Sequence, residues 1–231
     1  SEVYIMSKIS ISKETLAVLK NFAGFNSNVL VPEGNVIKTI TPAKNVMAIA
    51  TVQEEFPVEF GIWDLNKFIG TVSLFDNPTF EFFDNHMKIH GGSGSSIKYM
   101  YSAKRLLTIP ERDINMPDHV VEFDLHEDSL MELKKAGAVL QLEDLSISSD
   151  DGVVVGKVFD KSDPTSNNYS IELGDLSGGK KFDFHFKLEN LRFLPGDYTC
   201  QITEKVESRF ASANDDLEYY VALESTSTYE G

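Results

Sequence analysis

A chain of 231 residues has room for one or two domains, and 42% hydrophobic residues can bury real cores, which excludes a disordered chain. Its apolar runs are far too short to span a membrane, and residues 1–7 lack the basic-then-apolar order of a secretory signal. The formal net charge of −15 excludes a protein that grips phosphates by overall surface charge. It leaves an acidic protein that never meets DNA, or one that encloses DNA with local basic faces on an acidic body.

In chain order, residues 8–11 alternate as a short strand. Ser12 is a good N-cap, with Glu14 and Thr15 in the first turn of a helix running to about Ala23 and ended by Gly24. Residues 29–31, the turn Pro32-Glu33-Gly34 and residues 35–41 predict strand, turn, strand. Residues 46–53 and 58–62 are further strands. Asp64 caps a short helix over residues 65–74, which carries Lys67. Three strands follow, at residues 79–83, 87–90 and 96–101, separated by Asp84-Asn85 and a Gly-rich segment around Gly92. Residues 107–119 hold Pro110, Pro117 and the run Glu111-Arg112-Asp113. They fit neither period and predict a linker between domains at 1–106 and 120–231.

The second half repeats this order. Residues 120–125 are a strand, residues 127–137 a helix, and residues 139–148 and 153–159 a hairpin around Asp150-Asp151-Gly152. Strands at 169–173 and 182–187 precede a short helix at 189–194, stopped by Pro195-Gly196. Strands at 198–204, 209–213 and 217–224 complete the chain. The fold class that follows is α+β with extensive antiparallel sheet, built from a duplicated module.

The clearest echo is I-S-K-E-T-L-A-V-L-K-N-F-A from Ile11 against L-H-E-D-S-L-M-E-L-K-K-A-G from Leu125, 114 positions later. Each copy has leucines three apart, Leu16 and Leu19 or Leu130 and Leu133, followed directly by Lys20 or Lys134. Such leucines lie on one side of a helix and leave a lysine-bearing side for another partner. Lys13 and Lys20 share a face at two turns' spacing, and Lys135 points away from the stripe of Leu130, Leu133 and Leu140. N-K-F-I-G from Asn66 is echoed by L-R-F-L-P-G from Leu191, which sets Lys67 beside Arg192 in the pattern. The duplication favours these cations as a DNA-facing set over ordinary solvated lysines.

Enzymatic motifs fail on inspection. Gly174 to Lys180 matches the start of a P-loop, but Lys181 replaces the magnesium-holding Ser or Thr and a strand follows where a helix is required, so it predicts a hairpin loop. His86 and His90 are not expected to align on one face, and the Asp160 to Asp163 stretch lacks the Gly and Glu of an EF-hand. No metal, cofactor or catalytic residue is assigned. The lone Cys200 excludes an internal disulfide and fits a reducing cytoplasm, as a buried structural thiol.

Four runs together carry a family resemblance: S-K-E-T-L-A-V-L-K-N-F-A from Ser12, W-D-L-N-K-F-I-G from Trp63, Y-S-I-E-L-G-D from Tyr169 and Y-Y-V-A-L-E-S from Tyr219. They resemble the sliding clamps of T-even-type bacteriophages, the processivity factors of DNA polymerase, from about Ile9 to the end. The resemblance implies a DNA clamp fold with two similar domains per subunit and a homotrimeric ring, helices lining the hole and sheets outside. It implies double-stranded DNA held topologically, a partner DNA polymerase, an ATPase clamp loader, late transcription factors, no membrane, and work in the cytoplasm of an infected bacterial host. The channel residues would be Lys13, Lys20, Lys67, Lys134, Lys135 and Arg192. The family pattern has a second basic residue near the end of the second helix, where this chain has Ala138. The partner-peptide pocket would use Ile109, Pro110, Tyr220 and Ala222. An edge strand at 96–101 would pair with one at 169–173 of the next subunit. The alternative from composition alone is a non-catalytic acidic structural or scaffold protein built from the same module.

Overall fold

Apolar residues at every second position organise both halves, because each strand must turn one face to a core. The computed structural model describes residues 4–231; residues 1–3, part of the stretch tested above for a secretory signal, lie outside them. Two units divide the chain, the first ending at Asp113 and the second running from Ile114 to Gly231.

In the first unit the order is β1 (Tyr4–Ser10), α1 (Lys13–Ala23), β2 (Val29–Val31), β3 (Gly34–Ile40), β4 (Val46–Phe56), β5 (Phe60–Ile62), α2 (Leu65–Val72), β6 (Thr79–Phe83), β7 (His86–His90) and β8 (Ser96–Met100). β1, β6, β7 and β8 form one antiparallel sheet in that order, and β3 pairs with β4. Ser12 caps α1: its Oγ accepts the Thr15 N–H at 3.1 Å and donates to Glu54 at 3.0 Å. The buried stripe of α1 is Thr15, Leu19 and Phe22; Leu16 is only half-buried, so the stripe is rotated from the leucine pair. Asp64 caps α2 by accepting the Lys67 N–H at 2.9 Å. Leu65, Phe68, Ile69 and Val72 are its buried side, and α2 packs on α1. The strands expected on either side of residues 32–33 both form, but they do not pair with each other. β2 pairs instead with β5, setting Val31 beside Phe60 and Val29 beside Ile62, because those apolar faces bury each other fully.

In the second unit the order is β9 (Val121–Leu125), α3 (Glu127–Leu140), β10 (Asp144–Ser149), β11 (Val153–Phe159), β12 (Tyr169–Asp175), β13 (Phe182–Lys187), β14 (Tyr198–Ile202), β15 (Glu207–Ser212), β16 (Leu217–Ala222) and β17 (Thr228–Tyr229). β9, β14, β15 and β16 pair in that spatial order, and the other sheet runs β12-β11-β10-β13-β17. Phe193, Tyr198, Phe210 and Tyr219 form an aromatic cluster, with Phe193 stacked on Tyr219 at 4.3 Å. Burial pushes the Tyr219 phenol up to about 12, so it stays a neutral hydroxyl and accepts the Leu194 N–H at 3.0 Å. Cys200 is fully buried, and burial pushes its thiol well above the ordinary value, which keeps it inert.

Several expectations give way here. The strand expected from residue 139 does not start there: α3 continues through Leu140, and Gln141, at φ 57°, makes the left-handed cap. Gly137 does not end the helix; a Cβ there would meet Leu188 Cδ2 at 2.6 Å, so glycine serves close packing. The helix expected over 189–194 is a single 3-10 turn, Leu188–Asn190, because the Leu194 N–H goes to Tyr219. Arg192 is therefore not on a helix. The segment from Gly174 to Lys180 is no hairpin loop: β12 and β13 are separated by β11 and β10, so it is a crossover. The turn at Asp150-Asp151-Gly152 does close a hairpin, β10 to β11.

Candidate nucleic-acid interface

On α1, Lys13 and Lys20 are exposed, seven residues apart and opposite the buried stripe. Lys20 sits in the last turn, where the carbonyl end of the helix favours a cation. Lys67 is exposed on α2, which packs beside α1. The first unit thus carries three lysines on the solvent sides of two neighbouring helices.

On α3, Leu130, Leu133 and Gly137 are buried, Lys135 is exposed and Lys134 is half-buried. Lys134 and Arg192 line one open cavity of about 400 Å³ together with Gly137, Ala138, Lys187 and Glu189. Burial, and then the nearby Arg192 charge, hold the Lys134 ammonium below the ordinary lysine value. Two cations pressed together in this way favour an arriving anion, since a phosphate between them relieves both charges. The rest of the exposed α3 surface is acidic and apolar. It carries Asp128 and Glu132, the latter accepting the Tyr169 hydroxyl at 2.5 Å, and exposes Met131 and Val139.

The four partner-pocket residues fall in different units. Ile109 and Pro110 are half-buried in the first, just after Thr108, whose carbonyl accepts from Asn26 and whose N–H donates to Asn28 at 2.9 and 3.0 Å. The start of the expected linker is therefore pinned to its own unit, as is Asp113, which meets Lys38 at 2.8 Å. Tyr220 and Ala222 are half-buried on one face of β16. That face is polar around Tyr220: its hydroxyl donates to Glu218 at 3.3 Å, and Arg209, directly opposite, reaches Glu218 at 2.6 Å. Opposite Ala222 stands Glu207. Burial pushes its carboxyl up to about 7, and its Oε1 is enclosed without a hydrogen-bond partner among the described residues. Sequence reasoning missed Glu207, since the strand was expected only from residue 209 and left Glu207 in the preceding turn, whereas β15 starts at Glu207.

His86 and His90 both lie on β7, where four-residue spacing does put them on one face, contrary to expectation. Their backbone separation of about 13 Å still prevents a shared ion. Among the described residues, no group of three or more His, Cys, Asp or Glu could hold a metal, and no helix is long and apolar enough to cross a membrane.

A family model described as gp45 sliding clamp, C terminal, matches residues 122–225. The sliding clamp of Vibrio phage KVP40 is 30% identical over 222 residues, which is 94% of this chain and 100% of that one. That of Escherichia phage RB69 is 28% identical over 230 residues, 96% of this chain and 100% of its own. Among solved structures, PCNA from Thermococcus kodakaraensis superposes with a TM-score of 0.66 at 12% identity, over 94% of this chain and 99% of that one. The Helicobacter pylori beta clamp gives 0.70 at 11%, over 94% and 66%. Identities this low establish the DNA clamp fold alone, and the phage relatives establish the rest: the chain belongs to the sliding-clamp family of T-even-type bacteriophages.

Proposed function

We propose that this chain assembles into a homotrimeric ring around double-stranded DNA and tethers a DNA polymerase for processive synthesis. The observation that carries this reading is the full-length match to phage sliding clamps, joined to a helix with exposed lysines in each unit. Lys13, Lys20 and Lys67 of the first unit, and Lys134, Lys135 and Arg192 of the second, meet phosphates without reading bases, which suits movement along a duplex. Holding DNA by topology needs little static affinity, so a net charge of −15 is compatible with the role. An acidic exterior also keeps DNA off the wrong surface.

Opening and closing such a ring calls for an ATP-driven clamp loader. Partners, among them the polymerase and late transcription factors, would dock a short hydrophobic peptide near Ile109, Pro110, Tyr220 and Ala222. Each of the two units, divided after Asp113, would serve as one clamp domain. The setting is the interior of an infected bacterium.

The test is synthesis on primed circular DNA with the cognate polymerase and loader. Addition of the protein is expected to lengthen products in single-encounter conditions. Unchanged product length would leave the scaffold alternative standing and end the clamp reading.

A further inference from the structure

The two faces of the β12-β11-β10-β13-β17 sheet differ. Gly156, Ile147 and Phe184 share the face that α3 covers: a Cβ on Gly156 would meet Leu133 Cδ1 at 2.9 Å. The opposite face carries an open bowl of about 690 Å³. Its floor is one register row, Val155, Ser148, Asp183 and Thr228, each directly opposite the next. Along β11, Val153 extends the floor toward the Asp150-Asp151 turn, and Lys157 stands at the other end.

The charges in the bowl are unevenly partnered. Asp183 is committed within the sheet: its carboxylate accepts from Ser146 Oγ at 2.5 Å and meets His185 Nε2 at 3.0 Å. Burial acts to raise its carboxyl, and the hydrogen bonds from His185 and Ser146 outweigh burial and hold it below the ordinary value. On the rim, Lys181 pairs with Glu230 at 3.4 Å. The two ends are not served in this way. Asp150 and Asp151 are exposed, and neither meets a cation among the described residues; Asp151 accepts only the Val153 N–H, at 3.3 Å. Lys157 makes no hydrogen bond or ion pair among the described residues, and its ammonium rests 5.2 Å from the centre of the Phe159 ring. Beside the acidic end, the Ser149 hydroxyl lines the bowl, is 5% exposed and is enclosed without a hydrogen-bond partner among the described residues.

An acidic end and a basic end on a valine floor define a dipolar site. Val153 and Lys157 are about 13 Å apart along the strand, the length of four extended residues. A guanidinium suits the acidic end, because its stem lies along Val153 while its planar fork reaches carboxylates and hydroxyls together. A carboxylate suits Lys157. In an extended segment the residues carrying those two groups share a face with the residue midway between them, which then packs on Val155. The net charge of −15 favours approach by a cation-bearing protein surface.

We propose that this bowl docks an extended segment of a protein partner, with an arginine against Asp150 and Asp151 and a carboxylate four residues along against Lys157. The site stands apart from the ring reading and lies on the sheet face away from α3. A partner held there leaves the α3 lysines free for a duplex.

The probe is a fluorescein-labelled peptide with arginine and glutamate four positions apart and valine midway, in a serine background, followed by anisotropy without DNA. Saturable binding that weakens with salt is expected, and no binding up to millimolar protein would overturn the inference. Asp150→Asn with Asp151→Asn is expected to lower affinity about fivefold, with asparagine keeping an acceptor for the Val153 N–H. Asp215→Asn with Asp216→Asn removes the same charge from the exposed turn between β15 and β16 and is expected to leave affinity unchanged. Equal losses in the two double variants would mean general attraction to an acidic protein and would overturn the site. Lys157→Ala is expected to lower affinity about threefold for this peptide and not at all for its glutamine counterpart, which lacks the carboxylate. Equal loss for both peptides would overturn the dipolar reading. Unchanged thermal unfolding of each variant separates a lost contact from a lost fold. A chain that passes these tests yet fails to lengthen polymerase products keeps this inference and ends only the ring reading, and the reverse result ends only this inference.

Discussion

Replacing Glu207 by glutamine isolates the energetic effect of one half-enclosed carboxylate. Burial raises its folded-state value to about 7 from the ordinary 4.5. The neutral acid is therefore the form the fold prefers: Oε1 has no hydrogen-bond partner among the described residues, and a hydrogen bond from the Ser208 backbone only partly offsets the burial. Between those two values the folded chain binds more protons than the unfolded one, so stability falls as pH rises through this window. The full difference corresponds to at most about 3 kcal/mol. The side chain is not sealed from solvent, and screening reduces the figure to about 1–2 kcal/mol above pH 7. Glu207→Gln keeps the shape and removes the charge. It is expected to stabilise by about 1–2 kcal/mol at pH 8 and by almost nothing at pH 4.5. Urea unfolding of both proteins at fixed concentration from pH 4.5 to 8.5 measures the gap. A gap that stays constant with pH, or a glutamine variant less stable at pH 8, would refute the argument.

Three further outcomes are expected. Gly137→Ala should destabilise by about 1–3 kcal/mol in thermal unfolding, because the added methyl meets Leu188 Cδ2 at 2.6 Å and the Leu142 carbonyl at 3.2 Å. Ser12→Ala should lower stability by about 1 kcal/mol by calorimetry, since α1 loses its cap and Glu54 loses a donor. Lys20→Glu combined with Lys135→Glu should shorten polymerase products and flatten the salt dependence of DNA retention, by about two phosphate contacts per chain, with circular dichroism unchanged. Normal processivity in that double variant would mean these lysines do not meet DNA.

What could be read beforehand followed the periods the residues obey. Residues 29–31, 79–83, 153–159 and 182–187 are strands with the expected bounds, because strict alternation or an Asp-Gly turn leaves little choice. Both long helices start where Ser12 and Glu127 announce them. Elsewhere, distant partners overrode local signals. Gly137 reads as a helix stop, yet Leu188, fifty-one positions away, needs the space a side chain would fill. Residues 189–194 carry helical spacing, yet the Leu194 N–H is taken by Tyr219 from another strand. Val29 to Val31 sit beside a turn signal, yet Phe60 and Ile62 offer a drier partner than β3 does.

The candidate interface shows the same division more sharply. Exposure of Lys13, Lys20, Lys67 and Lys135 follows from helical periodicity, because each lies off the apolar stripe of its helix. The pairing of Lys134 with Arg192 does not follow from periodicity. Arg192 sits in irregular chain after Leu188–Asn190, and only the fold brings it beside α3. That difference has a consequence for the proposed function. The exposed lysines are long, solvated and interchangeable, so each contributes a weak, salt-screened attraction that can slide from phosphate to phosphate. The Lys134 ammonium is partly desolvated and already repelled by Arg192, so a phosphate there gains more than at any exposed lysine. A duplex inside the ring would therefore feel a shallow field from the first unit and a deeper point in the second. Lys134→Ala should shorten residence on DNA most at low salt and least at high salt, and equal effects at both would mean that Lys134 does not meet the phosphates.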